Sequence, residues 1–183
     1  MGKSAADIKE ITCRTHEACI RIIDKQFKPM DNFADRDHCI QYMASVMLVY
    51  GRLEATDYTD GGEAATSPLV ESLRQKITCV EDEQFTRDYH NENLRTIPNA
   101  LTVTLNDGTV FEEIVVEAPL GHRIRREEAK PVILEKYKRH LGPHFDAARV
   151  KELVDLGNDG KKLESMAIDE YVDLYTVKDS KFV

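Results

Sequence analysis

Apolar side chains fill most of residues 35–50, and they predict a largely buried helix over that segment. They are Cys39, Ile40, Met43, Val46, Met47 and Tyr50. Gly51 is a natural end for this helix, because glycine readily takes the left-handed conformation that often follows a last turn. Within the helix, His38, Gln41 and Tyr42 have the i, i+3, i+4 spacing that places side chains on one face.

A period of two appears later in the chain and predicts a β-hairpin. Leu101, Val103 and Leu105 alternate with threonines, as expected for a half-buried strand. Asn106-Asp107-Gly108 supplies the residues of a tight turn, and 110–117 is predicted to return as the second strand.

The other elements complete an α+β pattern. Residues 7–24 are ambiguous, because Ile8, Ile11 and Cys13 alternate as in a short strand, whereas 18–24 is more typical of a helix. Capping residues, prolines and glycines bound the remaining helices. These are predicted at 56–60, 67–77, 126–142, 146–157 and 163–175, with 80–98 irregular. The whole pattern predicts an α+β fold with helices packed around a small antiparallel sheet.

Length, charge and cysteine spacing narrow the function classes. A chain of 183 residues can bury a core, and its net charge of −8 argues against a nucleic-acid-binding surface. No apolar run approaches the roughly 20 residues of a membrane span, and no secretory signal is recognisable. We therefore expect a cytoplasmic protein that binds neither nucleic acid nor a membrane. The four cysteines have no CxxC or zinc spacing, so we predict no metal site and expect Cys19 and Cys39 to be buried thiols.

The polar face of the predicted helix has two interpretations. An imidazole, a carboxamide and a phenol, from His38, Gln41 and Tyr42, can hydrogen-bond or exchange protons with a polyanionic small molecule. Buried polar groups are usually bonded to one another, however, so a core network whose members satisfy each other explains the same residues. The spacing alone favours the core network.

A second cluster of candidate groups follows the hairpin. Gly121 allows a ligand to approach the backbone closely, and His122 and Arg123 stand with two further arginines just before a helix start, where a carboxylate can bind. The alternative is a solvated basic loop whose arginines pair with Glu127, Glu128 or another domain. We favour that alternative for Arg125 and Arg126, and leave both interpretations open for His122 and Arg123.

Several segments, in order along almost the whole chain, resemble the C-terminal region of the MmgE/PrpD family. They are Thr15–Asp24, Ala34–Met43, Gly51–Leu53, Asp88–His90, Asn106–Gly108, Gly121–Arg123 and Glu170–Tyr175. The resemblance implies a small α+β domain at 1–145. It also implies that the helices of 146–183 pack on an N-terminal helical domain, which is absent from this chain.

The resemblance implies a hydro-lyase that removes water from 2-methylcitrate to give 2-methylaconitate in propionate catabolism. It assigns Tyr42 to the active site, with His38 as an acid/base or substrate-orienting group. Gln41, His122 and Arg123 are then substrate-binding candidates for a small tricarboxylate. No cofactor is implied, and the expected partners are the N-terminal domain and a second copy in a homodimer.

Two alternatives remain open. The family motif that carries a catalytic lysine and histidine lies upstream of the point where the resemblance begins, so the isolated chain is expected to be inactive. The chain can then be a non-catalytic interaction domain. A related member of the family, such as a cis-aconitate decarboxylase, is the other alternative.

Overall fold

The computed structural model describes residues 4–176, which form two compact units. One unit ends at Pro119 and the other begins at Leu120. The division into 1–145 and 146–183 that the sequence predicts concerns packing on a further domain, and it stays a prediction.

A four-stranded mixed sheet lies in the first unit, with strand order β2-β1-β3-β4. The strands are β1 (Ile8–Thr15), β2 (Ile77–Glu81), β3 (Asn99–Leu105) and β4 (Ile114–Val116). β1 pairs with β2 in parallel, whereas β1 with β3 and β3 with β4 are antiparallel. The α+β class is confirmed. The prediction of an antiparallel sheet is wrong, because β2, a strand that the sequence did not predict, runs parallel to β1.

The predicted hairpin forms, with a shorter second strand than expected. Gly108 has a φ of +85°, and its N–H donates to the carbonyl of Leu105 at 3.0 Å, which closes the turn. Thr104 and Val110 make one bridge beyond the turn, but β4 begins only at Ile114.

Six α-helices surround this sheet within the described part of the first unit. They are α1 (Glu17–Ile23), α2 (Phe33–Arg36), α3 (Ile40–Tyr50), α4 (Glu63–Thr66), α5 (Pro68–Arg74) and α6 (Glu83–His90), with short 3-10 turns at Ala5–Asp7 and Ala55–Tyr58. The strand and helix suggested within 7–24 are both present. The 3-10 turn at Ala55–Tyr58 occupies the place of the short helix predicted at 56–60.

The single helix predicted over 35–50 is wrong, because the chain breaks between α2 and α3. Cys39 is extended, with φ −128° and ψ 108°, and its sulfur accepts the N–H of Tyr42 at 3.5 Å. The thiol therefore caps a new helix that begins at Ile40. His38 lies outside that helix, so it does not share a face with Gln41 and Tyr42.

Elsewhere in the first unit, residues that typically begin or end a helix do so in the structure. Gly51 has a φ of +67° at the end of α3, and the hydroxyl of Ser67 accepts the N–H of Val70 at 3.3 Å before Pro68. The prediction for 80–98 is wrong, since α6 lies there. Asp82 caps α6 by accepting two backbone N–H groups, at 2.8 and 3.0 Å.

The second unit is helical over its described residues. A 3-10 turn at Arg123–Arg125 precedes α7 (Arg126–Leu141), α8 (Ala147–Asn158), α9 (Gly160–Ser165) and α10 (Ile168–Asp173). The single helix predicted at 163–175 is wrong, because Met166 and Ala167 are extended and separate α9 from α10. Among residues 4–176, every helix is too short or too polar to cross a bilayer.

The main core of the first unit lies between the sheet and α5. Ile11, Leu73 and Ile77 are almost fully buried in one cluster with Ile8, Cys13 and Leu105. Tyr42 belongs to a second cluster with Cys39, Val46, Ala64 and Val70.

Replacing Leu73 with alanine should lower the free energy of unfolding by about 2–5 kcal/mol, because the cavity would form at a fully buried position. The matched substitution Val110→Ala, at a position 60 % exposed, should change it by less than about 0.5 kcal/mol. Urea denaturation followed by circular dichroism measures both values. Equal losses would show that this cluster is not the main core.

Candidate functional site

Tyr42 is almost completely buried, and its hydroxyl is already used inside the protein. The phenol donates a hydrogen bond to the backbone carbonyl of Asp57 at 2.6 Å, and the ring lies 6.2 Å from that of Tyr58. Burial raises the pKa of Tyr42 to about 12. The phenol is therefore protonated at neutral pH and acts as a hydrogen-bond donor.

Two arginines fix the segment that Tyr42 contacts. Arg52 binds both carboxylate oxygens of Asp57, at 2.6 and 2.7 Å, and the backbone N–H of Glu54 donates to the same carboxylate at 2.7 Å. Arg36 is buried, donates to the carbonyl of Tyr58 at 2.8 Å and pairs with Asp60. The partner of the Tyr42 hydroxyl is therefore held in place by charged hydrogen bonds on both sides.

Gln41 is the centre of a buried polar network that joins α3 to the end of α1. Its Oε1 accepts the backbone N–H of Lys25 at 3.1 Å and the thiol of Cys39 at 3.4 Å. Its Nε2 donates to Asp24 Oδ1 at 2.5 Å and lies 3.4 Å from the sulfur of Cys79. The sequence left a ligand-binding face and a core network as interpretations of Gln41. The geometry of Gln41 matches the core network.

His38 has the opposite environment. Its side chain is 61 % exposed in the break between α2 and α3, and Nδ1 pairs with the carboxylate of Asp37. A carboxylate on Nδ1 favours the tautomer that carries its proton there, which leaves Nε2 as a base. The three predicted residues thus do not form one polar face. His38 is exposed to solvent, Gln41 bonds within the thiol network, and Tyr42 bonds to Asp57.

His122 and Arg123 lie in the second unit, at its first turn. His122 Nδ1 accepts the backbone N–H of Ile124 at 3.3 Å and caps the 3-10 turn, while the Arg123 side chain is exposed. Arg125 pairs with Glu128 at 2.8 Å, and this guanidinium lowers the pKa of the Glu128 carboxyl. The ion-pair interpretation is therefore confirmed for Arg125.

A cleft that the sequence analysis missed is built around His16. The imidazole stacks on Tyr89, with ring centroids 4.3 Å apart and planes 5° apart, and its Nδ1 accepts the N–H of Cys19 at 3.3 Å. The cleft has a volume of about 370 Å³. It is lined by His16, Ala18, Cys19, Ile22, Ile23, Ile40, Met43, Tyr89, Ile97 and Asn99.

No pattern in the sequence indicated this cleft. His16 and Tyr89 both stand in segments that carry the family resemblance, yet they are far apart along the chain. Parallel pairing of β1 with β2 brings the start of α1 close to α6. Because β2 was not predicted, nothing in the sequence analysis placed the two rings together.

Comparison with known proteins decides the family. The family model of the MmgE/PrpD C-terminal domain matches residues 1–159. The chain belongs to the MmgE/PrpD family. The match contains Tyr42, His38, Gln41, His122 and Arg123, so every candidate residue from the sequence lies in the family domain.

Members of the MmgE/PrpD family with curated names are similar over nearly the whole chain. A 2-methylcitrate dehydratase of Cupriavidus necator is 52 % identical over 176 residues, covering 96 % of this chain and 36 % of the relative. A mitochondrial 2-methylcitrate dehydratase of Yarrowia lipolytica is 51 % identical over 179 residues, covering 98 % and 34 %. A 2-methylcitrate dehydratase of Escherichia coli K12 is 48 % identical, covering 96 % and 36 %. The chain thus spans about a third of the length of these relatives.

The buried His16 predicts a pH-dependent stability in this MmgE/PrpD domain. Burial lowers the pKa of His16 below its usual value of 6.5, so the unfolded chain binds more protons than the folded one below that pH. The contribution of His16 to stability is therefore present above about pH 6.5 and is lost as the pH falls towards the folded-state pKa.

His16→Asn keeps a capping oxygen but removes the titration, so it should flatten the fall in stability below about pH 6.5. It should also cost about 1 kcal/mol at pH 8, because the stacked pair with Tyr89 is lost. Urea titrations across this pH range measure both effects, with the exposed His140→Asn as the matched control. A slope that disappears in His140→Asn but persists in His16→Asn contradicts the assignment.

Proposed function

We propose that this chain is the C-terminal part of an enzyme that dehydrates 2-methylcitrate to 2-methylaconitate in propionate breakdown. The single observation that carries the proposal is 52 % identity, over 96 % of the chain, to a protein named 2-methylcitrate dehydratase. The three relatives described above share that name, which favours dehydration over decarboxylation as the reaction of the longer protein.

Dehydration requires three kinds of group around the substrate. A base removes a weakly acidic proton next to a carboxylate, an acid assists the departure of hydroxide, and cations or hydrogen-bond donors stabilise the negative charge that develops. Side chains alone can supply these functions, so the proposal includes no metal or organic cofactor.

In this proposal, the Tyr42 phenol is a donor to a substrate oxygen, and the His38 imidazole accepts the proton that the substrate loses. The raised pKa keeps the Tyr42 phenol protonated, which suits a donor to the departing hydroxyl or to a substrate oxygen. To reach substrate, the phenol must exchange its bond with the Asp57 carbonyl for a bond with the ligand. His38 is exposed and is oriented by Asp37, so it can accept a proton at Nε2.

The remaining candidate residues bind the substrate or hold the site in place in this proposal. His122 and Arg123 offer an imidazole and a guanidinium for substrate carboxylates, which a tricarboxylate needs. Both ends of the Gln41 amide are bonded inside the core, so Gln41 supports the site by holding the first turn of α3 in place. The homodimer stays a prediction.

An interaction role without catalysis is the second candidate, and exposed apolar side chains favour it. Ile114, Val115 and Val116 follow one another along β4 and are 69 %, 46 % and 45 % exposed. Apolar surface of this kind commonly marks a face that packs on another domain or subunit. This role and the proposed enzyme differ in one respect, which is whether the chain contributes groups to the reaction.

A chimera separates the two candidates. This chain would replace the matching third of the Cupriavidus necator relative, and dehydration would be followed by the ultraviolet absorbance of the unsaturated product. We expect the folded chimera to dehydrate 2-methylcitrate, and this chain alone to be inactive because the reaction needs more groups than it carries. The intact relative and the relative without that third are the positive and negative controls. A folded, inactive chimera would overturn the proposed enzyme.

Within that chimera, Tyr42→Phe should lower kcat about 10²-fold or more, since it removes a proton donor. It should reduce the free energy of unfolding by about 1–3 kcal/mol, because the carbonyl of the buried Asp57 loses its hydrogen-bond donor. His38→Gln should lower kcat about 10²-fold with no loss of stability, because the side chain is exposed.

Matched controls are Tyr50→Phe on the same helix and His140→Gln in the second unit, and both should keep the activity of the chimera. Kinetics and thermal unfolding are measured on each variant. If Tyr42→Phe loses stability but keeps full activity, Tyr42 is only a core residue and has no part in the reaction.

A further inference from the structure

Two cysteines stand directly opposite each other on neighbouring strands of the sheet. Cys13 of β1 pairs in register with Cys79 of β2, and the two strands are parallel. Residues in register on neighbouring strands carry their side chains on the same face of a sheet, with Cα atoms about 5 Å apart. That separation lies within the range of about 4.4–6.8 Å that a disulfide spans.

The two thiols have contrasting surroundings. Cys13 is 2 % exposed, whereas Cys79 is half-buried and is approached by the Gln41 side chain at 3.4 Å. The interaction between the two side chains lowers the pKa of Cys13 and raises that of Cys79. Of the two sulfurs, Cys13 is therefore the one for which the thiolate form is favoured.

The strand that carries Cys79 lies at one edge of the sheet. β2 is five residues long and forms one edge of the sheet, so it is paired only with β1 inside the described chain. A small shift of an edge strand can relieve the strain that a disulfide between directly paired residues introduces.

We propose that Cys13 and Cys79 form an oxidation site that closes to an intramolecular disulfide when the folded protein meets a hydroperoxide. The other two cysteines have different partners. Cys39 caps α3 and bonds to Gln41, and Cys19 lies in α1. This proposal is independent of the dehydration reaction.

The chemistry balances with hydrogen peroxide as the oxidant. The Cys13 thiolate attacks one peroxide oxygen, the O–O bond breaks, and a sulfenic acid forms while hydroxide leaves and takes up a proton to become water. The Cys79 sulfur then attacks the sulfenic sulfur, the S–O bond breaks, and a second water leaves. Overall, two thiols lose two hydrogen atoms and one peroxide becomes two waters.

Closure would have two consequences for the first unit. The cross-link joins residues far apart in sequence, so it restricts the unfolded chain and should raise the unfolding temperature. It also changes the chemistry of the Cys79 sulfur, which lies 3.4 Å from the Gln41 amide nitrogen.

The test uses the reduced, folded chain treated with hydrogen peroxide, then alkylated and digested. We expect a peptide pair linked through Cys13 and Cys79, with the mass of two lost hydrogen atoms, and a Tm raised by several degrees. Dithiothreitol should reverse both changes. Circular dichroism before alkylation verifies that the protein is folded, because an unfolded chain can join any cysteines.

Matched variants sharpen the result. Cys79→Ser should abolish the linked peptides and the Tm increase, whereas Cys39→Ser should retain both. The map of the unsubstituted protein decides the question even where a variant does not fold. Four fully alkylated thiols after oxidation, a link that joins a different pair, or a sulfinic acid at Cys13 without a link would each overturn the proposal.

Discussion

The first unit depends on the pairing of β1 along both of its edges. β1 is flanked by β2 and β3. Residues at or just after its carboxyl end make the cysteine pair, the ion pairs of Arg14 and the cap of α1. Cys13 faces Cys79, Arg14 binds Glu113 at 2.7 and 2.8 Å and also pairs with Asp82, and His16 caps α1 directly afterwards. Since Asp82 also caps α6, Arg14 connects β1 to the start of that helix. Through Glu113 it also connects β1 to the residue just before β4.

The start of α3 shows how stability and proposed function compete for the same groups. Gln41 and Tyr42 are neighbours, yet one amide is fully bonded in the core and one phenol is bonded to a carbonyl. A buried group that must serve a ligand has to exchange an existing hydrogen bond for a new one, which costs little only when the new partner is at least as good. A substrate oxygen that gains charge during the reaction is such a partner, since charge-assisted hydrogen bonds are the stronger ones.

Turns and helix ends that depend on adjacent residues could be predicted from the sequence. Features that depend on contacts between distant residues could not. The cap at Ser67, the left-handed Gly51 and the hairpin turn at Gly108 follow from two to four adjacent residues. The break before α3 was missed because cysteine is not among the residues usually expected to cap a helix. β2 was missed because a short edge strand beside polar residues has little periodicity, and the His16–Tyr89 cleft depends on that strand.

The roles of the candidate residues stay predictions, and the structure bears only on how these residues are arranged. All five lie in the family domain, but the idea of one polar helix face for His38, Gln41 and Tyr42 assumed a continuous helix. Burial separates these residues further, because two are in the core and one is exposed. No pattern in the sequence reports which hydrogen-bond partner a buried side chain will find.

The charges of the first unit constrain where substrate carboxylates can bind in the proposed enzyme. Arg36 and Arg74 are buried and donate to the backbone carbonyls of Met30 and Gln26, at 2.7 and 2.5 Å, while Arg52 is bonded to Asp57. Removing a buried guanidinium from such partners leaves unsatisfied groups and costs several kcal/mol, so these arginines are structural. Three carboxylates on a chain of net charge −8 then require cations from exposed positions such as Arg123, or from the part of the relatives that this chain does not cover. In the proposed enzyme, that balance of charge favours a site to which the rest of a longer protein also contributes cations.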